Sequence, residues 1–196
     1  MSGRIIVIFL FILCALCSSA DADVEDWYTY WSFGLASINY PGETGEVFDM
    51  VDSLPGVTRM TFTLDMFGFY WPMENEQTIL GFVVNNASDN LSDDYTTFSI
   101  NQYLYGFSVM HFFGSEPGDG FLVRGDIGLS RAVMSISGGG FSDSSVSDSG
   151  IGFLVGIGYG IVVSEESRVI IGLNVANREI EGDNISTVGV TVGGLW

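Results

Sequence analysis

The chain has no lysine, a single histidine (His111) and, beyond position 17, no cysteine. Its six basic residues are arginines at positions 4, 59, 124, 131, 168 and 178, set against 24 Asp plus Glu for a formal charge of −18. Without clustered lysine and arginine there is no phosphate-neutralising face, which excludes most nucleic-acid binding. Without later cysteines, no disulfide framework can hold an exported domain together. One histidine and no thiol exclude a His/Cys metal cluster and a cysteine nucleophile. After residue 17 no apolar run approaches the roughly 18 residues of a spanning helix. No catalytic residue, metal site or cofactor is expected.

What is present is apolar mass: 47% hydrophobic residues, with 15 Phe, 8 Tyr and 4 Trp, and a mean hydropathy of +0.36. Acidic chains of low aromatic content are disordered, but this one is greasy, so its charge and its apolar surface must be segregated. Part of the hydropathy lies at the start. Arg4 is a short positive region, residues 5–17 are apolar, and Ala20-Asp21-Ala22 is an A-x-A cleavage site. The apolar run is too short for a span of about 20 residues, so residues 1–22 are read as a signal peptide and 23–196 as one domain. Leu13 and Leu16 precede the two cysteines, which argues against lipid attachment. Cleavage removes Arg4 together with Asp21, and the charge stays at −18.

The rest of the chain alternates with period two over segments longer than ordinary strands. Phe121, Val123, Ile127 and Leu129 oppose Leu122, Arg124, Asp126 and Ser130; Ile151, Phe153, Val155, Ile157 and Tyr159 oppose Gly152, Leu154, Gly156, Gly158 and Gly160. Val169, Ile171, Leu173 and Val175 oppose Arg168, Gly172, Asn174, Ala176 and Arg178, with Ile170 as an exception, and Val188, Val190 and Val192 oppose Gly189, Thr191 and Gly193. Earlier runs cover residues 27–40, 58–71, 78–87 and 98–113. In the last of these Phe98 and Ile100 fall on the opposite parity to Tyr103, Tyr105 and Phe107, and a bulge near Gln102 reconciles the halves. Longer acidic loops are expected at residues 41–57, around Asp89, Asp93 and Asp94, and at 138–150, with short turns at the other end.

One face of each segment is bulky and apolar, the other small or polar. A soluble lipocalin-like barrel reverses that arrangement, so the apolar face is expected to meet lipid. Aromatic residues near segment ends (Trp27, Tyr28, Tyr30, Trp31, Tyr70, Trp71, Phe112, Phe113) suggest an interfacial girdle. The fold class is therefore all-β: a closed antiparallel up-and-down transmembrane barrel of about eight strands.

The signal peptide, the eight alternating segments and the ending Thr187-Val-Gly-Val-Thr-Val-Gly-Gly-Leu-Trp196 resemble small bacterial outer-membrane β-barrel proteins of the OmpA/OmpX type. The resemblance implies a location in a Gram-negative outer membrane, contact with its lipid and lipopolysaccharide, and a monomeric state. It also implies that Val188, Val190, Val192 and Trp196 form the C-terminal signal read by the barrel-assembly machinery. Gly194 interrupts that apolar series.

Parity places Asp65, Arg124 and Asp126 inside the barrel at similar depth, where an arginine can reach a carboxylate across a lumen just wide enough to be filled by side chains. The glycines at 156, 158 and 160 are expected to leave that guanidinium room. The cluster reads as an ion-pair plug or as the gate of a narrow porin-like channel. Arg131 falls on the lipid-facing parity near the outer end, as a candidate lipopolysaccharide contact or a solvated strand-end arginine. Asp89, Asp93 and Asp94 read as a solvated acidic loop or a Ca²⁺/Mg²⁺ site without EF-hand spacing. Barrel enzymes of this size that trim lipid A use a His with a nearby Ser; the single histidine, His111, is followed by Phe112 and Phe113 and reads as an interfacial girdle residue. The leading expectation is a non-enzymatic barrel acting structurally or through acidic outer loops, with the gated channel and the lipid A-modifying enzyme as alternatives.

Overall fold

The computed structural model describes residues 27–74 and 77–196, so the signal-peptide region up to residue 22 lies outside the described residues. Ten elements follow in order: β1 (Tyr28–Asn39), α1 (Gly42–Asp52), β2 (Thr58–Pro72), β3 (Thr78–Ser92), β4 (Thr96–Phe112), β5 (Gly120–Gly138), β6 (Phe141–Val146), β7 (Gly150–Val162), β8 (Arg168–Ile180) and β9 (Asp183–Leu195). Eight of the nine strands pair antiparallel with their neighbours and close where β1 meets β9, from Tyr30 opposite Leu195 to Asn39 opposite Ser186. Closure leaves no free edge in the barrel. The ninth strand, β6, pairs with the last residues of β5, from Val133 to Gly138, and stands outside the closed ring. The expected loop over residues 138–150 is thus largely a hairpin, and the loop between β1 and β2 holds a helix.

Period-two alternation sets which residues face where. Leu35 is 70% exposed and Ile127 61%, far too much bulky apolar surface for water on every strand, whereas alternate residues such as Ser32, Thr63, Asn85, Gln102 and Thr191 are buried inside. The β5 strand runs to 19 residues, well beyond the roughly 9–11 needed to cross a hydrocarbon core, so its last third rises past the apolar band.

Two expectations change in the register. The β3–β4 and β4–β5 ladders run without a shift, so Gln102 carries no bulge. Phe98 and Ile100 instead face inward with Gln102 and Leu104, beneath α1. The bulge lies at Met66 in β2, between Asp65 and Phe67, and shows in the pairing with both β1 and β3. Without it, the parity that points Asp65 inward would also drive Phe67, Phe69 and Trp71 into the lumen. The extra residue turns Gly68 and Tyr70 inward and releases those rings to the outside.

The aromatic girdle divides in the same way. Tyr30, Tyr70 and Phe112 are buried in the lumen; the outward band is Trp27 stacked on Phe69 at 5.0 Å, Phe69 against Trp71, and Trp71 against Phe82. Trp196 stacks on Trp31 at 5.7 Å, closing the band across the β1–β9 seam. That packing explains Gly194: a Cβ there would lie 2.1 Å from the Trp196 ring. The interruption in the C-terminal series makes room for its final aromatic.

Candidate functional site: the charged layer of the lumen

Inward side chains form layers along the barrel. At the end where β1 begins and β9 finishes, Tyr30, Tyr70, Ile79, Met110, Phe112, Leu122, Ile170 and Leu195 form an apolar floor; the tightest turns, β3–β4 and β8–β9, lie at the other end, against the expectation of short turns here. Ile170, the exception to the alternation, belongs to it. At the opposite end Ile38, Tyr40, Ala87, Leu91, Ile100, Ala132, Ile180 and Ile185 form an apolar ceiling around Phe48 of α1. Phe48 stacks on Tyr40 at 4.6 Å and meets Phe98 at 5.7 Å, so the helix is pinned over the mouth by one buried ring.

Between floor and ceiling lie the charges. Arg124 from β5 donates from Nη1 and Nη2 to the two oxygens of Asp65 on β2, both at 2.8 Å. Its Nε and Nη2 donate to Asp126 on its own strand, at 3.0 and 2.7 Å. One guanidinium thus holds two carboxylates in a planar fork, an arrangement a lysine ammonium cannot reproduce. The remaining lone pairs are also satisfied: Asp65 accepts from Ser32 Oγ at 2.5 Å and Asn85 Nδ2 at 3.0 Å, and Asp126 accepts from Ser108 Oγ, itself bonded by Tyr70. The guanidinium also sits 5.4 Å from the centre of the Tyr30 ring. The structure therefore brings Asp65, Arg124 and Asp126 into one cluster.

Arg178 completes it. Fully buried on β8, it donates to Asn85 Oδ1 and, at 3.2 Å, to Thr187 Oγ1, with no carboxylate in contact. Arg124 against Asp65 and Asp126 leaves one excess negative charge, and Arg178, relayed through Asn85, makes the layer neutral. A buried charge without such compensation costs several kcal/mol, roughly. Its inward parity beside Asn174 and Ala176 was visible in the sequence, and that was the signal for a second lumen arginine. The β7 glycines serve neighbours other than the Arg124 guanidinium: a Cβ on Gly152 would meet Leu104 and the Arg178 stem, and one on Gly156 would meet Asn174.

Near the ceiling, Arg59 donates from Nε and Nη2 to Asp89, at 3.1 and 2.7 Å. Asp89 is thus no loop residue, because β3 continues to Ser92 and turns Asp89 into the lumen. It is removed from Asp93 and Asp94 and is unavailable as a cation ligand beside them. Asp93 instead caps the tight β3–β4 turn, accepting from the amides of Tyr95 and Thr96. Those two N–H donors hold its carboxyl below the usual aspartate range.

Arg131 emerges from the outer face of β5 with its Nε on the Ser147 carbonyl at 3.0 Å. His111 lies on the outward parity of β4, bonded to Thr78 Oγ1 at 2.9 Å and in edge contact with Phe113. Val188, Val190, Val192 and Trp196 all lie on the exterior.

No family model and no curated protein matches the sequence. Solved structures do match the fold. Neisserial surface protein A superposes with a TM-score of 0.57 at 16% identity, over 86% of this chain and 95% of that one. Ail, the attachment invasion locus protein of Yersinia pestis, in complex with the heparin analogue sucrose octasulfate, gives 0.52 at 11% identity, over 87% and 99%. The fold is the closed eight-stranded antiparallel barrel of small outer-membrane proteins, with one added strand.

Proposed function

We propose that this protein is an integral outer-membrane barrel with a permanently filled lumen that works through its outer face, as a non-enzymatic structural or surface-interaction protein. The observation that carries the reading is the layering. A neutral charged layer, in which the Arg124 fork satisfies both carboxylates and only the Nε of Arg178 lacks a partner, is sealed below by Tyr30, Tyr70, Phe112 and their neighbours and above by Phe48 and the ceiling. A water path would have to break both apolar layers as well as the Arg124 fork. The continuous apolar exterior and the aromatic band at the end where β1 begins and β9 finishes support the membrane setting.

The outer face is acidic. Exposed Glu43, Glu46, Asp93, Asp94, Asp143 and Asp148 surround the mouth, and Arg59 is committed to Asp89. A polyanion such as the ligand bound to Ail would be repelled here, so charge complementarity favours a cationic partner. His111, paired with a threonine and a phenylalanine on the barrel exterior, supports the non-catalytic reading.

Planar-bilayer recording of the purified protein tests the proposal. Electrical silence is expected from the wild type. Stepwise conductance that grows in Arg124→Ala would overturn it in favour of a gated channel.

A further inference from the structure

The described arginines divide four to one. Arg59, Arg124 and Arg168 each hold a carboxylate, on Asp89, on Asp65 with Asp126, and on Glu116, while Arg178 is sealed in the lumen. Arg131 alone among them is exposed and has no carboxylate of the described residues within 4.0 Å, in a chain of net charge −18. It is nevertheless held in place. Its Nε donates to the Ser147 carbonyl, and Ser147 is locked to Ala132 by the Ser147 N–H to the Ala132 carbonyl at 3.0 Å and the Ala132 N–H to Ser147 Oγ at 2.9 Å. The Nη groups are left to point elsewhere.

Its height on the barrel narrows what they meet. Along the outer face of β5, Ile127 and Leu129 precede Arg131, and the register sets Leu129 opposite Tyr105 and Arg131 opposite Tyr103. Below that row the exterior is apolar; above it come Asn101 opposite Val133, then Ser99 opposite Ser135. Tyr103 and Tyr105 are stacked, with ring centres 5.8 Å apart and planes 21° apart. One strand over, Asn86 lies opposite Tyr103, buried on this exterior face, and its Nδ2 has no hydrogen-bond partner. An oriented guanidinium, a tyrosine pair and an unsatisfied amide donor thus share one row of the exterior, where apolar surface gives way to polar. Tyrosine with arginine at that level is the chemistry of a headgroup layer, and a guanidinium fork matches a tetrahedral phosphate oxyanion bidentately.

We propose that Arg131, supported by Tyr103, is a binding site for the phosphate of an outer-leaflet glycolipid, the phosphomonoester of lipid A. The site rests on the membrane reading above and extends it with a specific lipid contact. It also accounts for an unpaired arginine in a protein rich in carboxylates: the anion is supplied from outside the chain.

The test uses the full-length folded protein in phosphatidylcholine nanodiscs containing lipid A or dephosphorylated lipid A, with retained lipid counted by native mass spectrometry. Retention of the phosphorylated form is expected to exceed the other by roughly tenfold, the worth of one charge-assisted fork. Arg131→Gln should abolish the preference, Arg131→Lys should keep part of it, and Tyr103→Phe should lower it without removing it. Slower migration of each variant on SDS gels after boiling confirms that it has folded. Equal retention of the two lipids by wild type, or an undiminished preference in Arg131→Gln, overturns the site while leaving the membrane reading intact. Competition by millimolar inorganic phosphate would overturn the lipid as the source. Failure of the wild type to enter nanodiscs would overturn the membrane reading itself.

Discussion

Carboxylates in the lumen and carboxylates on the outer rim are balanced in different ways. Inside, Asp65 and Asp126 rest on Arg124 and Asp89 rests on Arg59, with hydroxyls and an amide filling the remaining lone pairs. On the rim, Asp49 and Asp52 of α1 stand 3.8 and 3.9 Å from Arg59, with their side chains 84% and 42% exposed, and the others face water. The lumen charges are bound by the cost of burial, so each must be matched or the barrel fails. The rim charges are individually free to change, and their repulsion is tolerated because solvent screens it. Negative charge is therefore a structural constraint in one region and free of that constraint in the other.

The sharpest way to test that contrast is to remove the central cation. Arg124→Ala strands two buried carboxylates and is expected to cost about 3–5 kcal/mol, measured by urea unfolding of the refolded barrel in detergent. Adding Asp65→Asn and Asp126→Asn in the same chain should recover most of that loss, because the neutral amides no longer need the guanidinium. A single-variant loss below about 1 kcal/mol would place the lumen with the rim. Arg178→Met comes next, at about 1–3 kcal/mol, since Asn85 and Thr187 lose a charged donor and the layer is left with one uncompensated negative charge. On the rim, Asp49→Asn with Asp52→Asn should change stability by at most about 1 kcal/mol, falling further in high salt. A larger effect would mean that these exposed carboxylates latch α1 over the mouth, a task assigned here to the buried ring of Phe48.

Much of the barrel was legible because period-two alternation survives in all eight closing strands. The inward placement of Asp65, Arg124 and Asp126 followed from the same parity. Parity was misleading where bulk and position disagreed. Phe98 and Ile100 are large and apolar, which reads as lipid-facing, yet they point inward because the upper lumen is itself apolar under α1. Tyr30, Tyr70 and Phe112 read as girdle residues for the same reason, since an aromatic near a strand end suits either the interface or the floor. Asp89 looked like a loop residue because Asn85, Asn86, Asp89 and Asn90 are poor strand formers; the Arg59 fork and the ladder to β4 override that propensity. The bulge at Met66 left no local mark, because it is chosen by the need to keep Asp65 inside and Trp71 outside at once.

The smallest expected effect lies at Asp93, which is fully exposed and held only by the amides of its own turn. Those donors keep its folded pKa below the ordinary 3.8. The folded turn therefore favours the ionised carboxylate: its contribution is present above the unfolded value of about 3.9 and is lost as pH falls through the folded value. Protection factors of the Tyr95 and Thr96 amides, taken relative to the intrinsic exchange rate at each pH, should fall on acidification through that window, while those of amides beside Asp65 and Arg124 hold. In Asp93→Asn the acid dependence should vanish, because the amide oxygen still accepts but no longer titrates. A fall in lumen protection factors at the same pH would show the two regions to be coupled; a fall confined to the turn means that the rim can lose a charge without the barrel registering it.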